Sequence, residues 1–141
     1  MANVLLDTGI LIQFLRGNPK AAPLLASLIS ISVVSVSVVT VTEILVGSRD
    51  DKHLKAARSV LSLVQPLSVD TNIAEKAAVL IQRYPQLFGK QISRGIADAY
   101  IAATAWSNDL ILYTLNTRDF AKLSIAEIRV HAIDQNAPKW S

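Results

Sequence analysis

The sequence predicts an α/β domain in which a mostly parallel central sheet is flanked by helices. Three observations carry this. Apolar and β-branched runs at Asn3–Leu6, Ile31–Val39, Pro66–Val69, Ile111–Leu115 and Ile128–Ile133 read as short strands. Most of them are separated by segments whose apolar residues recur at helical spacing. Strands joined through helices are parallel neighbours, because a tight turn cannot bring the chain back to the same end of the sheet. The 141 residues, 51% hydrophobic and 18% charged, suit a single domain over 1–141 with a real core.

Taken in order, Asn3–Leu6 is the first strand. Ile10, Leu11, Phe14 and Leu15 then mark a helix that Gly17-Asn18-Pro19 stops. Ala21–Ile29 is a second helix, with Leu24, Leu25 and Leu28 on one side. Ile31–Val39 is the valine-rich strand. Thr40-Val41-Thr42-Glu43 has the spacing of a capping box, opening a helix that Gly47 ends. His53–Val64 is helical, its stripe formed by Leu54, Ala57, Leu61 and Val64. Pro66–Val69 is a brief strand, Thr71–Tyr84 an amphipathic helix stopped before Pro85, and Ala97–Ser107 an alanine-rich helix. Ile111–Leu115 and Ile128–Ile133 complete the strands. No repeat, low-complexity tract or linker interrupts the order.

Composition excludes whole classes of chemistry. There is no cysteine, hence no disulfide framework, iron–sulfur cluster, thiolate zinc site or cysteine nucleophile. Absence of cysteine also suits a reducing cytoplasm. No targeting segment is expected, since Asp7 interrupts the first apolar stretch and no basic region precedes it. The most lipid-like stretch, Leu28 to Thr42, falls short of the roughly 20 residues of a spanning helix and is punctuated by serine and threonine, so no membrane association is expected.

Parallel sheets bind ligands at the carboxyl ends of their strands, where loops and helix N-termini converge. Four acids fall there. Asp7 follows the first strand, and Glu43 follows the second in the first turn of a helix. Asp98 lies at the start of the helix Ala97–Ser107, and Asn116 and Asp119 follow Ile111–Leu115. Singly, each has an ordinary role: Asp7 as a cap, Glu43 in its capping box, Asp98 at a helix N-terminus, Asp119 as a turn residue beside Arg118. Those roles do not explain why all four share one edge. Clustered carboxylates repel each other unless a cation joins them. Oxygen ligands without cysteine, and with His53 and His131 outside these segments, select magnesium or manganese over zinc. Carboxylate-held magnesium suits phosphodiester hydrolysis. With the four set aside, fourteen basic side chains face seven acidic ones, a balance that attracts a phosphate backbone.

Val4-Leu5-Leu6-Asp7-Thr8, Ser37 to Ile44 with Glu43, Asp98 to Ala105, and Asn116-Thr117-Arg118-Asp119-Phe120 resemble, in order and spacing, the successive motifs of PIN domains, above all those of VapC toxins. The resemblance spans essentially the whole chain. It implies a PIN-like three-layer fold and a magnesium- or manganese-dependent endoribonuclease that cuts RNA, is held inactive by a VapB-type antitoxin, and forms a homodimer. By position it assigns Asp7, Glu43 and Asp98 as acidic metal ligands with Thr8 beside the first; the fourth member is either Asp119 or Asn116, which stands where some PIN domains have an aspartate. Asn116 and Arg118 become polar members of the site. Gly9 departs from the pattern, which more often has asparagine or serine there. The helices Ile10–Leu15 and Ala21–Ile29 are candidates for the antitoxin groove as well as for ordinary core.

Two rivals remain at this level. Leu6-Asp7-Thr8-Gly9 also looks like the triplet of retroviral-type aspartic proteases, which requires an all-β dimer and leaves Glu43 and Asp98 without a role. The other is a PIN module that serves outside a toxin pair, or binds RNA or a partner without cutting.

Overall fold

The computed structural model describes residues 3–88, 92–118 and 125–141. Its strands are β1 (Val4–Leu6), β2 (Val34–Ser37), β3 (Gln65–Leu67), β4 (Ile111–Thr114) and β5 (Arg129–Ala132). The helices are α1 (Thr8–Leu15), α2 (Ala21–Ile31), α3 (Val38–Val46), α4 (Asp51–Leu61), α5 (Thr71–Arg83), α6 (Pro85–Phe88) and α7 (Ile92–Ser107). The strands form one sheet in the order β3-β2-β1-β4-β5, and every neighbouring pair is parallel.

Burial follows from the pleat. Successive residues of β1 point to opposite faces, and all three are buried, as a central parallel strand requires. Val4 and Leu6 join Ile10, Leu11, Leu24, Leu28, Ile44 and Val60 in one core, covered by α1 to α4. Leu5 points the other way, into a second core with Ile73, Leu80, Ile101 and Leu112 beneath α5 and α7. The result is the three-layer α/β architecture expected from the sequence, and the parallel sheet rules out the all-β protease. Among the described residues, no helix is long and apolar enough to cross a membrane.

From β1 the chain winds outward through β2 to β3, then returns to place β4 on the other side of β1. Connections therefore leave β1 and β4 in opposite directions. At such a switch point the carboxyl ends of two adjacent strands open a crevice.

Three expectations are corrected. The valine-rich strand is shorter than Ile31–Val39: Ile31 ends α2, and α3 starts at Val38. Ser37 caps α3, its hydroxyl accepting the Val39 amide at 3.1 Å, so the Thr40–Glu43 box is not the helix start. Each β-branched residue costs a helix roughly 0.5 kcal/mol. The cap offsets about 1 kcal/mol of that, and burial of Ile44 contributes roughly 1.5–3 kcal/mol more. Tertiary packing thus overrides local strand preference. Glu43 consequently sits in the middle of α3 and not in its first turn.

Likewise, α7 begins at Ile92, five residues earlier than expected, which puts Asp98 beyond its first turn. Gly95 lies inside this helix, where the turn packs so closely on the backbone of Phe88 that any Cβ would collide with the Phe88 carbonyl. As expected, α5 stops before Pro85, ending at Arg83, and Pro85 opens the single turn α6. Elsewhere the caps are ordinary: Asp50 and Asp70 accept the His53 and Ile73 amides, and Gly17 leaves α1 at φ 81°.

Candidate active site

Asp7 is the first residue beyond β1, in the crevice between β1 and β4. Its amide still pairs with the Tyr113 carbonyl of β4 at 2.9 Å, which fixes the backbone to the sheet. Its side chain caps α1, Oδ1 accepting the Thr8 amide at 2.8 Å. The other oxygen, Oδ2, accepts from the Thr114 hydroxyl at 2.8 Å. Thr114 ends β4, is fully buried, and also accepts the Asn116 amide at 3.1 Å. One hydroxyl therefore orients both the aspartate and the turn that carries Asn116. Capping and site roles coexist in Asp7.

Glu43 approaches from α3. The buried Thr8 hydroxyl donates to Glu43 Oε1 at 2.7 Å and lies 2.8 Å from the Thr40 hydroxyl. A hydroxyl has one proton to give. If Thr8 gives it to Glu43, the bond between the threonines must be donated by Thr40. The order Thr40 to Thr8 to Glu43 is a hydrogen-bonded chain that ends on a carboxylate. Sequence reasoning missed Thr40 and Thr114. The available signal was a polar residue at the end of an otherwise apolar run, a place where a buried hydroxyl needs a partner.

Asp98 comes from the opposite layer. On α7 it shares a face with Ile101 and Ala102, three and four residues on. These residues, with Asp7, Asn116, Phe88 and Leu112, line a cavity of about 350 Å³. Asp7, Asp98 and Asn116 thus meet around one space. Arg118 stands exposed on the same turn as Asn116, facing a neighbouring recess that also reaches Asp7. Asp119 lies outside the described residues.

The electrostatics around Asp7 are set by burial, hydrogen bonds and a neighbouring acid. Burial pushes the Asp7 carboxyl up from its usual value, the Thr114 and Thr8 hydrogen bonds pull it back, and the negative charge of Glu43 raises it again. Among the described residues neither Asp7 nor Glu43 forms an ion pair with lysine or arginine. Nor, among them, do three acidic or histidine side chains stand close enough to hold one ion as they are. His53 reaches the recess beside Glu43 but is bonded to Asp50 at 2.7 Å, and His131 packs on Tyr113 and bonds the Ser141 carbonyl. The donor set around Asp7 is therefore oxygen only. Oxygen donors carrying excess negative charge fit a hard divalent cation.

A doubly wound parallel sheet with acids at its switch point defines a class of domain, and comparison with known proteins gives the family. The chain belongs to the PIN-domain family, whose model matches residues 4–126. Ribonuclease VapC19 of Mycobacterium tuberculosis is 38% identical over 119 residues, which cover 82% of this chain and 90% of that protein. Among solved structures, a toxin-antitoxin complex from Klebsiella pneumoniae contains a chain that aligns with a TM-score of 0.69 at 28% identity, over 90% of this chain and 99% of that one. FitAcB from Neisseria gonorrhoeae aligns with a TM-score of 0.67 at 31% identity, over 90% and 95% of the two chains.

Proposed function

We propose that this protein is an endoribonuclease of the VapC type that depends on magnesium or manganese and cuts RNA phosphodiester bonds. We assign it to the toxin side of a VapBC-like pair, restrained by a VapB-type antitoxin, and working in the cytoplasm as a homodimer. The observation that carries the reading is the meeting of Asp7, Asp98 and Asn116 around one cavity, with Glu43 tied to the same corner through Thr8. The names of the relatives, a ribonuclease and members of toxin–antitoxin complexes, support it.

Asp7, Glu43 and Asp98 would hold the ion, joined by Asp119 from the segment after β4. When bound, the ion supplies an activated water and stabilises charge on the leaving oxygen. The chain does the rest. Thr114 and the Thr8 amide hold the Asp7 carboxylate in one orientation, and the Thr8 hydroxyl holds Glu43. Phe88, Ile101, Ala102 and Leu112 form an apolar floor that lowers the local dielectric and strengthens each charge interaction. Asn116 and Arg118 offer hydrogen-bond donors to the RNA.

Purified protein freed of any antitoxin should cut RNA when magnesium or manganese is added and stop when the ion is chelated. Asp98→Asn should fold normally and not cut. Equal cleavage by the variant, or none by the parent with either ion, rejects the enzyme. Growth arrest on expression, relieved by a co-expressed neighbouring gene, tests the toxin role separately.

A further inference from the structure

A second recess opens from the same corner, sharing Asp7 and Asn116 with the acid-lined cavity but facing the other way. Beyond the shared Asp7 and Asn116 its charged side chains are basic, where the first cavity adds Asp98. One wall is the face of α1 that carries Gln13 and Arg16, three residues apart. The far wall carries Arg118 and Gln135.

That far wall is built before any ligand arrives. Gln135 Nε2 donates to the Leu115 carbonyl at 3.1 Å. Its own carbonyl accepts from Lys20 Nζ at 3.0 Å and from the indole of the buried Trp140 at 3.3 Å. Arg16 and Arg118 are exposed, and among the described residues neither forms an ion pair. Two arginines thus line one groove together with the amide side chains of Gln13, Asn116 and Gln135. Guanidinium forks match phosphate oxygens, and contacts of this kind position a nucleic-acid strand without reading its sequence.

We propose that this groove holds the sugar–phosphate backbone of single-stranded RNA on one side of the cut, with Arg16 and Arg118 gripping flanking phosphates. An eight-residue helix spans about 12 Å, so Arg16, just past the end of α1, is placed for a phosphate flanking the one at Asp7. Arg16 and Arg118 are substrate-binding residues, and the acids do the chemistry. The proposal rests on the nuclease reading.

The test is binding of a single-stranded RNA oligonucleotide across a range of salt, in an Asp98→Asn background that does not cut. Arg16→Ala and Arg118→Ala should each weaken binding about 5–10-fold at low salt, and each should flatten the dependence of log Kd on log salt by about 0.7. Arg16→Lys should keep most of that slope. In the cutting protein, the alanine variants should raise KM and spare kcat. If the parent cuts RNA but Arg16→Ala binds it with unchanged affinity and slope, the groove is overturned and the nuclease stands. If the parent neither binds nor cuts RNA, both fall. Unchanged RNA binding with weakened capture of an acidic peptide would make the groove a protein-docking surface, which also overturns the proposal.

Discussion

Glu43 and Asp98 flank Asp7 from opposite layers of the sheet, and they are carried there by different means. Glu43 is fixed by polar chemistry, through a chain of threonine hydroxyls that begins on Thr40 and passes through Thr8. Asp98 rides on α7, whose Ile101 and Ala102 line the same cavity and pack in the second core. A carboxylate held by a threonine hydroxyl is sensitive to the loss of a single atom. One carried on a helix is sensitive to where that helix sits. The two walls of the site should therefore fail in different ways.

The largest effect is expected where the acids themselves change. Asp98→Asn and Glu43→Gln should each lower kcat/KM by more than ~10²-fold, beyond the 10–100-fold typical of residues that only support a metal ligand. Initial-rate measurements on one RNA substrate compare them directly. Thr8→Val should come next. It keeps the shape of the side chain but deletes the hydroxyl, leaving the buried Thr40 without its partner. Activity should fall roughly 10–100-fold and stability by about 1–3 kcal/mol in urea unfolding. Thr8→Ser, which keeps the hydroxyl, should restore most of both.

The packed wall answers to a different change. Gly95→Ala forces a Cβ into the Phe88 carbonyl and should cost about 1–3 kcal/mol, with cleavage reduced because Phe88 lines the cavity beside Asp98. Thr8→Ser and Gly95→Ala make a paired experiment. Both are one-atom changes in size, yet only the second should destabilise strongly.

How much of this was legible in the sequence depended on the same distinction. The five strands and the acids at their ends followed from pattern and position, because a buried parallel sheet leaves long apolar runs and puts its loops at one edge. Asp7, Asn116 and Asp98 indeed meet around one cavity. The ends of elements were less legible. Val38 and Val39 read as strand because nothing local reveals that Ser37 caps a helix there. The earlier start of α7 was not legible because the close neighbour of Gly95, Phe88, belongs to a separate helix. Thr40 and Thr114 were invisible as site residues, since a threonine becomes a positioning group only when folding puts a carboxylate or another hydroxyl within reach.

The smallest expected effect concerns the charge on Asp7. Its carboxyl is raised, chiefly by burial, so the folded protein favours the neutral acid. A raised acid contributes stability that is fully present below its unfolded pKa and lost as pH rises through the folded value. Without metal, Asp7→Asn should therefore match the Tm of the parent at acidic pH and exceed it at neutral pH. Magnesium or manganese should reverse the order by stabilising only the parent. Thermal melts at two pH values, with and without the ion, check both signs.

The central claim is that carboxylates from separate layers converge on one hard cation at the β1–β4 crevice. Crystals grown with manganese test it most directly, through anomalous scattering. The account predicts a peak about 2 Å from carboxylate oxygens of Asp7 and Asp98, with Glu43 as a direct or water-linked ligand. A protein that cuts RNA while its manganese sits away from Asp7 and Asp98 would contradict the account.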